Sequence, residues 1–181
     1  MLWLTLAGWA VLELGVRVRE SVRGRGRTGH DRFTRVLIAI TTGAAIGLAV
    51  TAAPSRSVRV GHPVGVAGLV IMWLGLAIRV WAIATLGKDF RTTVEVEPGQ
   101  AVVSSGPYAR IRHPSYAGLL LIVGGFGLAL GSWRSLCVAA LLPLPGLLLR
   151  INVEEAEMTR VLGAAYRDYQ KRTKRLIPGV W

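Results

Sequence analysis

Residues 108–116 crowd Tyr108, Arg110, Arg112, His113 and Tyr116 ahead of an apolar run, and Arg150, Glu154 and Glu155 follow where a later apolar run ends. His113-Pro114 sits where a helix should begin, because proline's missing N–H costs nothing in a first turn. Free N–H groups at such an end attract anions and acceptors, which makes the surroundings of His113 a candidate binding point. Arg150 and Glu154 are four residues apart, so on a helix a guanidinium and a carboxylate converge on one face. A guanidinium there offers a fixed two-pronged grip on a carboxylate that lysine does not reproduce. Both groups also fit a simpler reading, an interfacial anchor of Arg, His and Tyr and a snorkelling ion pair. Ionisable residues at membrane depth are nonetheless functional candidates. Glu13 and Arg79, each inside an apolar segment, read as a structural pair or as snorkelling side chains, and Arg110 and Arg112 read as phospholipid anchors.

The elements that must position these residues are apolar helices. The chain has 181 residues, is 52% hydrophobic and carries a formal charge of +12. Apolar segments fall at residues 2–16, 36–53, 64–86, 115–130 and 136–149, against a spanning requirement of about 20 residues (roughly 17–25). The expectation is an all-α, polytopic membrane protein of about five transmembrane helices, the last two forming a hairpin that turns at Gly131-Ser132-Trp133-Arg134. Residues 152–174 place Met158, Val161, Leu162, Ala165, Tyr166 and Tyr169 at helical spacing, which predicts a C-terminal amphipathic helix ended by Pro178 and Gly179. The first segment lacks a basic lead and a small-residue cleavage site and reads as a retained helix. Two units are expected, residues 1–62 with the basic loop and residues 63–181 as the core. Successive loops and the tail hold seven, two, four, one and seven Lys or Arg, which predicts an N-terminus outside and a cytoplasmic C-terminus. The stretch around His113 and the tail then share one membrane face.

Several chemistries are excluded. The basic residues lie between apolar runs, so anionic lipid suits them better than nucleic acid. Cys137 is the only cysteine, and His30, His62 and His113 form no metal-ligand spacing. No nucleophile elbow accompanies a serine. Gly125-Phe-Gly127-Leu-Ala-Leu-Gly131 lacks dinucleotide-loop spacing and, like the Gly43 to Gly47 stretch, predicts close helix packing. The Arg/Gly-rich SVRGRGRTGHDR reads as a lipid-facing loop, and residues 90–103 read as a loop into the next helix.

LGKDFRTTVEVEPGQAVVSSGPYARIRHPSYAG, a helical hairpin, and then RINVEEAEMTRVLGAAYRDYQKRTKRLIP together resemble the isoprenylcysteine carboxyl methyltransferase family over residues 73–178. The RHPSYAG and RxxxEE elements in that order are more specific together than either alone. The resemblance implies an integral membrane enzyme that transfers a methyl group from S-adenosylmethionine to a carboxylate on a lipidated cysteine or a lipid-like acid. It implies cofactor contacts from Thr93, Gln100, Ala101, Val102, Val103, Tyr108, His113, Pro114, Ser115, Tyr116 and Glu154. Arg150 falls at the position that holds the substrate carboxylate. Relatives that methylate phospholipid amines, NADPH-using sterol-reductase-like proteins and a non-enzymatic membrane protein are the alternatives; the first two helices carry no family signature.

Overall fold

Two helices approach so closely that only glycine fits between them. A Cβ on Gly75 or Gly118 would lie 2.7 Å from the other residue's carbonyl oxygen, and one on Gly125 2.7 Å from that of Gly68. These residues belong to α3 (His62–Leu86) and α4 (Pro114–Ala129), whose backbones meet along a stripe of small residues, as helices do in lipid. The computed structural model describes residues 1–22, 32–53, 62–87, 90, 96 and 99–181. Around the α3/α4 pair stand α1 (Leu2–Val22), α2 (Arg32–Thr51), α5 (Trp133–Leu141), α6 (Leu144–Leu162) and α7 (Ala164–Arg172). Among the described residues there is no strand beyond one isolated parallel bridge, Ile111 with Lys174.

The protein is an all-α integral membrane protein. Three helical runs, Phe33–Thr51, Pro63–Leu86 and Trp133–Leu162, are long and apolar enough to cross a membrane, and Pro114–Ala129 is a shorter apolar helix. Length and composition alone therefore support three spans among the described residues, where five were expected. The hairpin also differs from expectation in its second arm. Pro143 keeps helical backbone angles (φ −75°, ψ −19°) at the junction, so α5 and α6 form one kinked run. That run continues past Arg150 to Leu162, and the expected separate helix over residues 152–174 is thus half of α6 and all of α7. The break falls at Gly163, whose φ of +58° is a conformation glycine adopts without a Cβ penalty. The break also shifts the register: Tyr166 and Tyr169 are buried whereas Ala165 is exposed.

The core joins Met72 of α3, Leu119, Val123 and Phe126 of α4, Ala139 of α5 and Leu147 of α6. Trp3 of α1 meets Phe126 edge-on at 5.7 Å between centroids. Trp73 and Trp81 are more than half exposed, as lipid-facing side chains of a membrane bundle are. Ser132 caps α5 by accepting from the Ser135 N–H, and Ser135 Oγ donates to the Ala49 carbonyl 2.8 Å away, tying α5 to α2.

Candidate active site

The residues expected to do chemistry converge on one cavity of about 600 Å3. A turn of 3-10 helix, Gly106–Ala109, seats Tyr108, whose carbonyl accepts from Tyr169 Oη at 2.7 Å. His113 is the N-cap of α4, with Pro114 in its first turn. The first-turn donors differ from expectation, because the N–H groups of Tyr116 and Ala117 both donate to the His113 carbonyl and are not free.

The side chains of His113 and Tyr116 form a continuous polar network with α6. Tyr116 Oη donates to Glu154 Oε1, and Arg150 Nε donates to the same oxygen at 2.8 Å and to Tyr116 Oη at 3.3 Å. Arg150 Nη1 reaches Thr34 Oγ1 on α2 at 3.2 Å, and the residue is 1% exposed. His113 lies between two carboxylates, Nδ1 3.5 Å from Glu154 and Nε2 3.2 Å from Glu155. Burial disfavours its charged form, but hydrogen bonds to Glu154 and Glu155 outweigh burial and raise its pKa above the usual imidazole value. The His113 and Tyr116 rings stack at 5.7 Å. Tyr108 is pushed far above the usual phenol range, first by burial and then by Tyr169 and Glu154, so it is a neutral donor and wall.

Two arginines brace His113 from behind through Glu155. Arg112 Nε donates to Glu155 Oε1 at 2.7 Å and its Nη1 to the carbonyls of Gln170 and Thr173, while Arg175 grips Glu155 Oε2 through two nitrogens at 3.0 and 2.9 Å. The backbone follows, with Arg112 N–H donating to Lys174 O and His113 N–H to Arg175 O. Arg112 is thus an internal clamp and not the phospholipid anchor its sequence suggested, whereas Arg110 is exposed. Sequence reasoning missed Glu155, Arg112 and Arg175 as partners; the doubled acid in RxxxEE was the available signal.

The cavity wall includes Gln100, Ala101, Val102 and Val103, together with Tyr108, His113, Ser115, Tyr116, Arg150 and Glu154. Pro114 is buried in the helix start and is not part of that wall, and Thr93 lies outside the described residues, as does the stretch 23–31. Ser115 presents its hydroxyl and carbonyl to Arg79 Nη1 at 2.8 and 2.9 Å. Arg79 in turn pairs with Glu13, so these two form the structural pair expected of them.

A helical membrane bundle with a mostly apolar pocket whose polar, charged end is built on the start of one helix and the polar part of another defines the class. The sequence profile of the isoprenylcysteine carboxyl methyltransferase (ICMT) family matches residues 67–160, more than half the chain, and the chain belongs to that family. It is similar to protein-S-isoprenylcysteine O-methyltransferases of Schizosaccharomyces pombe (31% identical, covering 58% of this chain and 45% of that one) and Rattus norvegicus (32%, 62% and 40%). An uncharacterized protein of Bacillus subtilis, YpbQ, is 31% identical over 46% of this chain and 54% of its own. Among solved structures, the eukaryotic intramembrane Ras methyltransferase ICMT superposes with a TM-score of 0.62 at 25% identity, covering 84% of this chain and 55% of that one. The chain spans about half the length of the curated relatives it matches.

Proposed function

We propose that the protein is an S-adenosylmethionine-dependent carboxyl O-methyltransferase acting on a lipid-like or isoprenylcysteine-type acid at the cytoplasmic membrane face. The observation that carries this reading is one cavity in which Tyr108, His113, Tyr116, Arg150, Glu154 and the segment Gln100, Ala101, Val102 and Val103 converge, continuous with an apolar seam between α1 and α2. The donor set suits the cofactor. Glu154 is an acceptor for its ammonium, the backbone of residues 101–103 offers donors and acceptors for adenine and ribose, and Tyr108 and the stacked His113 and Tyr116 give flat walls. When bound, S-adenosylmethionine supplies an electrophilic methyl group.

The chain's own residues then have to orient and desolvate. A carboxylate acceptor is a competent nucleophile at neutral pH, so methyl transfer to it needs alignment and exclusion of water and no general base. Arg150, locked by Glu154, Tyr116 and Thr34, turns a fixed cation toward the cavity to hold that carboxylate. An amine acceptor would need a base. His113 is a poor one, since both ring nitrogens face carboxylates and its raised pKa favours the imidazolium. The cytoplasmic placement rests on the Lys/Arg excess in the first loop and the tail.

Calorimetric titration of the detergent-solubilised protein with S-adenosylhomocysteine tests the site. Glu154→Ala is expected to weaken binding by about 1.5 kcal/mol, roughly tenfold, as for loss of a charge-assisted hydrogen bond. Unchanged affinity would remove Glu154 from the cofactor site. Methyl label released from product as methanol by mild alkali marks an ester, and alkali-stable label would establish an amine acceptor instead.

A further inference from the structure

The charges on the cavity wall do not cancel. Arg79 is engaged by Glu13, Arg150 by Glu154, and Arg112 by Glu155. Arg17 of α1 and Arg35 of α2 also face the cavity, and neither has an ion-pair partner among the described residues. Arg35 follows Thr34, whose bond to Arg150 fixes the start of α2 against α6 and so fixes Arg35 at the rim.

Below these two cations the wall is open and mostly apolar, its polar members being Thr42 and the mutually paired Glu13 and Arg79. From α2 it takes Arg35, Ile38, Ala39, Thr42, Gly43 and Ile46, spacings that define one helical face. Trp9, Ala10 and Leu14 of α1 stand opposite, and the two helices barely touch. A Cβ at Gly43 would meet nothing within 4 Å. Within this seam Thr42 is 4% exposed, and its hydroxyl is the one buried side-chain polar atom among the described residues without a hydrogen-bond partner. A buried hydroxyl left in that state is costly and marks a place where a ligand acceptor fits. Thr42 lies two turns below Arg35 on the same face, about 10 Å along the axis.

We infer that the α1–α2 seam is a binding site for a single-chain lipid with a phosphate head. The phosphate bridges Arg17 and Arg35, the ester carbonyl accepts from Thr42 Oγ1, and the chain runs past Ala39 and Gly43. A phosphomonoester carries up to two negative charges and three terminal oxygens, which balances two guanidiniums from different helices, whereas a carboxylate brings a single negative charge. Arg17, Arg35 and Thr42 lie outside the family match, at the α1–α2 end of the same cavity in which the proposed methyl transfer is placed.

Native mass spectrometry of the full chain in neutral detergent tests this with three probes: oleoyl-glycerophosphate, mono-oleoylglycerol, which lacks the phosphate, and glycerophosphate, which lacks the chain. One oleoyl-glycerophosphate per chain is expected, bound at least about tenfold more tightly than either control, the scale of a charge-assisted contact. The double variant Arg17→Gln, Arg35→Gln should bring oleoyl-glycerophosphate down to the affinity of mono-oleoylglycerol while leaving S-adenosylhomocysteine affinity intact. Thr42→Val, nearly isosteric, should weaken both oleoyl lipids by a similar factor. No preference for the phosphate head in the wild type, or a preference that survives in the double variant, overturns the proposal. The latter result would mean that the two arginines serve only bulk anionic headgroups. Loss of S-adenosylhomocysteine binding in the wild type, with the lipid results as expected, would sink the methyltransferase reading and leave this site standing.

Discussion

Gly75 on α3 and Gly118 on α4 each have the other's carbonyl oxygen 2.7 Å from where a Cβ would sit, whereas Gly8 and Gly15 on α1 and Gly43 and Gly47 on α2 have nothing within 4 Å. In sequence the two sets look alike, small residues within apolar runs. In the fold, one set closes a helix pair and the other faces open space, Gly43 among them lining the α1–α2 seam. The closed pair carries the family match and positions His113; the open pair lies outside that match and presents a lipid-accessible wall. Rigidity is thus concentrated where two charged clusters must hold their geometry, and space is left where a chain has to fit.

The largest expected effect comes from closing off that difference on the rigid side. Gly75→Val sets branched carbons against Gly118 O, Ile122 N and the Leu121 Cβ, and backbone atoms have no room to yield. A loss of about 3 kcal/mol or more is expected, at the upper end for overpacking, visible as a lowered melting temperature in detergent. A wild-type melting temperature would mean that α3 and α4 are not locked at this crossing.

Next in size is the brace behind the site. Glu155→Gln removes the carboxylate that Arg112, Arg175 and His113 share, leaving Arg112 without its counter-charge and His113 with Glu154 alone, at a cost of roughly 3 kcal/mol. S-adenosylhomocysteine affinity should fall with stability, because His113 loses the partner on its Nε2 side. Stability and affinity both at wild-type level would show that the tail does not hold the site.

How much of this could be read beforehand depended on the range of the interaction. The pairing of Arg150 with Glu154 is a local i, i+4 contact and was legible, as were the spans α2 and α3 from their apolar runs. Glu155 points about 100° away from Glu154 on the helix, toward a tail whose bridge to Ile111 no periodicity betrays. The continuity of α5 and α6 was hidden because a proline can hold helical angles at a kink, and only the packed structure shows that it does. Gly43 and Gly47 read as packing glycines because sequence reports the size of a residue and not what lies opposite it.

A smaller effect follows from His113, whose raised pKa means that the folded protein holds its proton more tightly than the unfolded chain does. The stability this contributes is fully present below the unfolded value of about 6.5 and is lost as pH rises through the higher folded value. The melting-temperature advantage of wild type over His113→Gln should therefore shrink on the alkaline side. An advantage that grows with pH would mean that His113 is held neutral and that Glu154 and Glu155 do not favour its charge.

The smallest effect is expected on the open side, and it is the sharpest check on the contrast. Gly47→Ala adds a methyl group where nothing stands within 4 Å and replaces the poorest ordinary helix former with the best. The helix gains up to about 1 kcal/mol in the water-based scale, so the melting temperature should hold or rise slightly, opposite in sign to Gly75→Val. Both variants replace a glycine in an apolar helix, and the opposite signs follow chiefly from what faces the added carbons, backbone at Gly75 and open space at Gly47. A drop for Gly47→Ala would place a packed surface against this exposed face of α2 and end the contrast.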